Sequence, residues 1–243
     1  MINIEQGFLI SNEEVIKLDN YSMKNFKSEK ETLEREVKKI FEEDEILDGD
    51  KLQKLFFPVD RYDFFISYSH DDEVLGERLA NYLIAKGFKV FLDSKIWGSA
   101  DFLLKLIDNK YCFDETTGLY DYSKRNFSTA HVHSLLNAAI GEAINKSDNI
   151  IFMSMNEPKM KEKNNLETRI LSPWIYQELN YFNLFYYNQH NHKIYTEGKT
   201  SRYIIKNMLQ ISRKGDIKNL RRITAESLKL FVHRHNYLGY QYE

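Results

Sequence analysis

Glu178 is the side chain with the clearest chemical potential in this chain, and it follows Trp174 by four residues. Residues four apart share one face of a helix, so we expect the carboxylate beside an indole, with Tyr176, Leu179 and Phe182 nearby. Burial among such groups costs a carboxylate its hydration unless it is paired, and groups held at this cost often bind or react. The alternative is an ordinary solvent-exposed helix glutamate, since most glutamates are exposed.

A second polar group, Ser69-His70-Asp71-Asp72, follows an apolar segment that ends in Tyr68. If that segment is a strand of an open α/β sheet, the loop leaves its carboxyl end, which is where ligands bind in such sheets. The alternative is a helix N-cap, because Asp71 or Asp72 would start the following helix well. The two roles are compatible with each other.

The elements around this loop predict a parallel sheet. Residues 62–93 have the pattern of a strand, a loop, a helix from about 72 to 86 and a second strand over 88–92. A crossover of this length implies parallel strands. Gly87 stands where a C-cap glycine is expected.

Further along the chain, residues 128–146 have the apolar spacing of an amphipathic helix, and 149–154 that of a buried strand. Ser172 as N-cap and Pro173 at the first helical position predict a helix from 173 to about 187. Residues 93–101 are predicted to be a loop, and Thr117-Gly118 a turn, suited to a small hairpin.

The two ends of the chain are predicted to be mainly helical. In the first segment, 1–58, helices are expected at about 28–44 and 49–56, either as a solvated arm or as a hairpin that binds a partner. The final segment, 193–243, is expected to hold a strand at 193–196 and helices at about 200–212 and 216–234. The central domain would then span 59–192, with an insertion at about 97–127.

Composition excludes several classes of protein. The net charge is −2, so no basic excess favours a nucleic-acid partner. The single cysteine, Cys112, excludes an internal disulfide. No apolar run has the length of a membrane helix, and the first residues lack the pattern of a signal peptide. The sequence therefore predicts a cytoplasmic protein that binds neither membrane nor nucleic acid.

The histidine pairs do not predict a metal site. His131 and His133, like His233 and His235, are two residues apart and so point to different faces of a helix. With Cys112 they do not form a metal-ligand spacing. No Gly-rich phosphate loop and no Gly-x-Ser-x-Gly elbow occurs either.

Two motifs together carry a family resemblance. Phe64-Phe65-Ile66-Ser67-Tyr68-Ser69-His70, with Asp72 after it, resembles the opening of a bacterial Toll/interleukin-1 receptor (TIR) domain, and Ser172-Pro173-Trp174-Ile175-Tyr176-Gln177-Glu178-Leu179 resembles a later TIR helix. The resemblance covers roughly residues 60–190 and implies a flavodoxin-like α/β domain. The chain departs from the TIR outline in the long stretch 93–148 and in its faint fourth and fifth strands. The long insertion is similar to those of TIR proteins in Thoeris-type anti-phage defence.

The resemblance implies an enzyme that cleaves the nicotinamide–ribose bond of NAD, with Glu178 as its catalytic residue. Nicotinamide is already a cationic leaving group, so one carboxylate suffices to hold the ribose and stabilise an oxocarbenium-like transition state. The product would be ADP-ribose or a cyclic ADP-ribose, a choice that the sequence leaves open. NAD enters as substrate, and no other cofactor is implied.

The same resemblance implies which residues would line the substrate cleft. Tyr68, Ser69 and His70 belong to the loop after the first strand. Asp93 and Trp97 belong to the loop after the second strand, where Trp97 would stack on a base or instead pack the insertion. Trp174 stands beside the catalytic position.

The resemblance also implies partners. TIR–TIR contacts would form a homo-oligomer that completes the site, and a downstream effector would sense the nucleotide product. Two rival functions remain open. One is a non-enzymatic TIR adaptor that associates through 93–101 and the helix from 173. The other is a nucleoside deoxyribosyltransferase-like enzyme, which also uses a glutamate but acts on nucleosides.

Overall fold

The computed structural model describes residues 5–43, 48–56, 61–153, 169–170, 172–190 and 213–239. The chain divides into two compact units, the first formed by residues 1–23, 61–92 and 144–243, the second by 24–60 and 93–143. This division differs from the predicted boundaries at 58 and 192. The chain leaves the first unit twice, so each unit is assembled from segments that are distant in sequence.

The strands, in chain order, are β1 (Gln6–Ile10), β2 (Tyr62–Ser67), β3 (Val90–Leu92), β4 (Phe113–Asp114), β5 (Leu119–Tyr120), β6 (Ser147–Met153), β7 (Arg169–Ile170), β8 (Arg213–Lys214) and β9 (Leu220–Arg222). The helices are α1 (Asn12–Ile16), α2 (Phe26–Glu43), α3 (Gly49–Phe56), α4 (Glu73–Ala85), α5 (Ser94–Ile107), α6 (Tyr122–Asn145), α7 (Pro173–His190) and α8 (Ala225–Gly239). Among the residues described, no helix has both the length and the apolar character needed to cross a membrane.

The first unit is built on a five-stranded parallel sheet with the order β3-β2-β6-β1-β9. Helices flank it, an arrangement compatible with the flavodoxin-like class that the sequence predicts. The strand–helix–strand reading of residues 62–93 is confirmed, with α4 ending as expected at Gly87, whose φ is +91°. Glycine adopts this left-handed conformation without the steric cost that other residues bear.

The prediction of helical ends is wrong at two places, because both ends contribute strands to this sheet. Gln6–Ile10 forms β1, which pairs with β6 on one side and β9 on the other. Leu220–Arg222 forms β9 inside the predicted helix 216–234, and α8 begins only at Ala225. The predicted strand 193–196 and helix 200–212 lie outside the described residues.

Strand register assigns the side chains to two faces of the sheet. Paired residues of parallel strands point the same way, and alternate residues of a strand share a face. One face of the sheet therefore carries Gly7 and Leu9 of β1, Ile150 and Phe152 of β6, and Phe65 and Ser67 of β2. Phe182 of α7 covers this face: its ring lies 6.0 Å from that of Phe152. On the opposite face, Phe231 of α8 packs against Phe8 and Phe64 with ring centroids 5.3 and 6.2 Å apart.

The second unit is mainly helical, formed by α2, α3, α5 and most of α6. The predicted helices at about 28–44, 49–56 and 128–146 correspond to α2, α3 and the larger part of α6. Val37 and Phe41, four residues apart on α2, are buried. Strands β4 and β5 form the predicted small hairpin, and Gly118 turns it with a φ of +68°. Only glycine and a few polar residues take this conformation readily.

Glu14 joins α1 to α8 within the first unit. Its carboxylate accepts a hydrogen bond from the Lys17 ammonium and another, at 2.8 Å, from the backbone N–H of Ala225, the first residue of α8. The Lys17 hydrogen bond and then that of Ala225 hold the pKa of Glu14 below its ordinary value of 4.5. An anion at a helix N-terminus is stabilised by the helix dipole as well.

We therefore expect the stability contribution of Glu14 to be present above pH 4.5 and to be lost as the pH falls through the lower pKa of the folded state. Glu14→Gln should lower the melting temperature at pH 7, and the difference from the parent protein should shrink below pH 4.5. Thermal unfolding followed by circular dichroism across this range checks the prediction. Glu13→Gln, on the same helix but exposed, is the control. A difference between parent and Glu14→Gln that is constant with pH would contradict the assignment.

Candidate active site at the carboxyl end of the sheet

The connections of the first unit diverge between β2 and β6. The chain leaves β2 through α4 toward β3, and leaves neighbouring β6 through α7 toward β9, in the opposite direction. Right-handed crossovers that diverge in this way place their helices on opposite faces of the sheet. Ligands of open α/β sheets bind at such a divergence, outside the carboxyl ends of the strands.

Glu178 lies at this end of the sheet. Because α7 connects parallel strands it runs back along them, and Phe182 meets β1 at Gly7, where an added Cβ would lie 2.2 Å from the ring. Glu178 precedes Phe182 by one helical turn, about 6 Å toward the carboxyl ends of the strands. This places it level with Leu9 of β1. Its carboxylate is completely buried.

Ser67, the last residue of β2, is the site residue that sequence reasoning missed. Its Cα pairs with that of Phe152, which in turn pairs with Leu9, so Ser67 lies on the α7 face and level with Glu178. The hydroxyl is buried and forms no hydrogen bond within the part of the chain that the structure describes. A buried polar atom without a hydrogen bond is costly, and such atoms are concentrated where ligands bind. The only sequence signal was its place at the end of an apolar strand.

The Ser69 loop forms a polar network at the same edge. The Ser69 hydroxyl donates to Asp72 Oδ2 at 2.8 Å, and Asn12 Nδ2 donates to Asp72 Oδ1 at 2.6 Å. Asn12 is the first residue of α1, two positions after the end of β1, so this bond ties the connections that follow β1 and β2 together. Asp72 occupies the N-cap position of α4 but makes no side-chain capping hydrogen bond. Its carboxylate therefore holds the loops together, and the predicted capping role is not observed. His70 is exposed.

The side chain of Tyr68 lies on the face of the sheet opposite to that of Glu178. Its side chain is buried on the α4 face of the sheet, where an added Cβ at Gly76 would lie 2.7 Å from the ring. Glu178 lies over the other face. The structure thus gives Tyr68 a packing role against α4 in place of the predicted contact with a substrate.

Trp174 stands on α7 one turn before Glu178 and is half-buried. The helix begins as predicted: the Ser172 hydroxyl accepts the Ile175 N–H at 3.3 Å, and Pro173 is the first helical residue. Capping of this kind anchors the N-terminal turn and hence the residues that follow it.

Asp93 and Trp97 belong to the second unit. Asp93 directly follows β3 and is buried. The prediction of a loop over 93–101 is wrong, because α5 begins at Ser94 and contains Trp97. Apolar residues of α5 such as Leu103 are buried within this unit, which favours the helix. The structure does not describe the side chain of Trp97.

No family model, curated protein or solved structure matches this chain. Across the described residues, histidine, cysteine, aspartate and glutamate do not form a group of three that could hold a metal ion.

Asp72→Ala is expected to lower the free energy of unfolding by about 1–2 kcal/mol, because it removes the hydrogen bond from Asn12 that links the two loops and the one from Ser69 within the second loop. Urea unfolding followed by fluorescence measures the change. Asp71→Ala, the exposed neighbour, should change stability by less than about 0.5 kcal/mol. Equal effects of the two substitutions would show that Asp72 does not link the loops.

Proposed function

We propose that this protein is a TIR-type enzyme that cleaves the nicotinamide–ribose bond of NAD, acting in the cytoplasm of bacteria in anti-phage defence of the Thoeris type. The observation that carries the proposal is the placement of Glu178 and Ser67 on one face of the sheet, level with each other at the carboxyl ends of β1, β6 and β2. The family resemblance of the two motifs supplies the reaction.

The proposed chemistry needs one carboxylate in a dry setting. Glu178 would hold the ribose hydroxyls and stabilise the positive charge that develops as nicotinamide leaves. The Ser67 hydroxyl would donate a hydrogen bond to the substrate, and Ser69 would contact it from the adjoining loop. Water as the acceptor then yields ADP-ribose, whereas attack by a nucleophile of the same molecule yields a cyclic product.

Burial of Glu178 sets a condition on this mechanism. A side chain with no exposed surface cannot meet a substrate until the groups covering it move. Electrostatic interactions are stronger once water is excluded, so opening only in the presence of substrate would serve the reaction. We propose that association of copies through TIR–TIR contacts promotes this opening, which makes activity depend on protein concentration.

The test is incubation of the purified protein with NAD over a range of protein concentrations. Chromatography should detect nicotinamide, and mass spectrometry should identify the second product as ADP-ribose or a cyclic isomer. Specific activity should rise with protein concentration. A parallel incubation with deoxynucleosides and free bases tests the deoxyribosyltransferase alternative. Intact NAD at the highest concentration, with the protein folded and self-associated, would overturn the proposal.

A second candidate, a non-enzymatic TIR adaptor, is favoured by one observation. Six large apolar side chains that are exposed fall within residues 111–127: Tyr111, Phe113, Leu119, Tyr120, Tyr122 and Phe127. Clusters of exposed apolar residues often mark association surfaces. An adaptor would associate with a partner and leave NAD unchanged, so the same incubation separates the two functions.

A further inference from the structure

The second unit contains a cavity of about 1080 Å³ that none of the preceding chemistry uses. Its walls come mainly from α3, α5 and α6, with polar side chains at the exposed rim and an aliphatic part formed by Leu52, Leu103, Ile107, Val132 and Leu135. Ligand sites commonly have volumes of roughly 300–1,000 Å³ with such a lining, so the cavity has the size of a small-molecule site. Phe127 and His131 line it while exposed, which shows where it opens to solvent.

Apolar side chains on the wall of an open groove are unfavourable in contact with water. An apolar molecule seated against them would remove that surface from water, and the stabilisation would grow with the apolar area covered.

Two small polar groups converge on one part of the wall. Ser128 and Cys112 are both buried, with Oγ and Sγ 3.8 Å apart. The Ser128 hydroxyl lies 3.2 Å from Asp108 Oδ1 and 3.0 Å from the Arg125 carbonyl oxygen, so its one hydrogen is directed to acceptors of the protein. The oxygen lone pairs of Ser128 therefore offer an acceptor to a ligand.

The charged side chains near Ser128 and Cys112 include both acidic and basic groups. Asp108 is paired with Arg125 at 2.8 Å, behind Ser128. Burial raises the pKa of the Cys112 thiol, which keeps the thiol neutral at pH 7. On the wall itself, Lys124 and Asp50 carry opposite charges. A charged ligand group would lose its hydration without gaining an opposite charge in the apolar part of the cavity.

We infer that this cavity binds an uncharged, mainly apolar molecule that carries a hydroxyl group. The apolar part fills the aliphatic space between α3, α5 and α6, and the hydroxyl donates a hydrogen bond to Ser128. This site lies in the second unit and is independent of the proposed NAD chemistry in the first.

The experiment uses the full chain and three probes with the same ten-carbon tail: decan-1-ol, decanoate and decylamine. Each competes with a solvatochromic dye bound to the protein, and its effect on the melting temperature is measured in parallel. Decan-1-ol should displace the dye at a concentration about tenfold or more below that of either charged probe, because a buried charge without a partner is costly. It should also raise the melting temperature, as a ligand of the folded state does.

Two variants of α6 localise the binding. Ala138→Trp places an indole on the cavity wall and should abolish displacement by decan-1-ol. Ala130→Trp, at an exposed position of α6 outside the cavity lining, should leave it unchanged. Ser128→Ala should weaken the binding of decan-1-ol by about fivefold, which is the effect of losing one hydrogen bond. The affinity of the protein for the dye should stay the same.

Failure of decan-1-ol to displace the dye or to raise the melting temperature of the parent protein would overturn the inference, whatever the variants do. Tighter binding of decanoate or decylamine would overturn the assignment of an uncharged ligand. Equal displacement in Ala138→Trp and Ala130→Trp, with both folded by circular dichroism, would show that the alcohol binds elsewhere.

Discussion

Glu178→Gln is expected to reduce NAD cleavage by at least about 100-fold, the usual effect of removing a group that stabilises charge in a transition state. The amide has the shape of the carboxyl group but carries no negative charge. It would keep the contacts of α7 with the sheet and remove the negative charge proposed to stabilise the oxocarbenium-like ribose. Release of nicotinamide, measured at several protein concentrations, reports the change.

Two further substitutions sharpen this result. Glu226→Gln, at an exposed position in the first turn of α8, makes the same chemical change away from the site and should leave the rate within about twofold, as surface changes generally do. Glu178→Asp keeps the negative charge on a side chain that is shorter by one methylene. This variant should therefore retain more activity than the glutamine variant. A folded Glu178→Gln protein that cleaves NAD at the parent rate would exclude Glu178 from catalysis.

Gly7→Ala is expected to destabilise the first unit by about 1–3 kcal/mol, the range for overpacking a core. The added Cβ would lie 2.2 Å from Phe182 Cζ and 2.8 Å from Leu220 Cδ2, distances at which the neighbours must move. Phe182 is fully buried, so its ring has no free space to enter. Displacement of α7 would also move Glu178, which precedes Phe182 by one turn. We therefore expect lower stability in urea and lower NAD cleavage together.

The double variant Gly7→Ala with Phe182→Leu should be more stable than the sum of the two single effects predicts, because the smaller side chain relieves the clash. Gly49→Ala is the matched control. Among the described residues the nearest atom to its Cβ would be Leu135 Cδ1 at 3.7 Å, and its place at the start of α3 tolerates alanine, so stability should change by less than about 0.5 kcal/mol. Additive effects in the double variant would show that Gly7 does not position α7 through Phe182.

The elements nearest the candidate site were predictable because their signals are local. Leu79 and Leu83 repeat at the spacing of one helical face, and both are buried in α4. Gly87 and Ser172 mark helix ends through backbone and capping requirements that involve only a few neighbouring residues. The position of Glu178 on an early turn of α7 follows from the same signals.

The predictions that failed depended on distant contacts. Gln6–Ile10 is too short and too weakly patterned to indicate a strand, and it becomes one by pairing with residues 149–153 and with β9. The predicted loop at 93–101 belongs to helix α5. For β1, pairing with strands far along the chain outweighed local preference, as tertiary context commonly does.

The sequence by itself determined the α/β class of the first unit, helices α2 and α3 and most of α6 in the second, and the placement of Glu178 near the start of a helix, because periodicity and capping act over a few residues. Only the tertiary structure decided that β1 lies between β6 and β9, that Ser67 and Glu178 share a face while Tyr68 lies on the other, and that α3, α5 and α6 leave a cavity. The physical reason is that parallel pairing and helix packing join residues far apart in the chain, such as Ser67 with Phe152 and Leu9 with Phe152, where no local pattern records the partner.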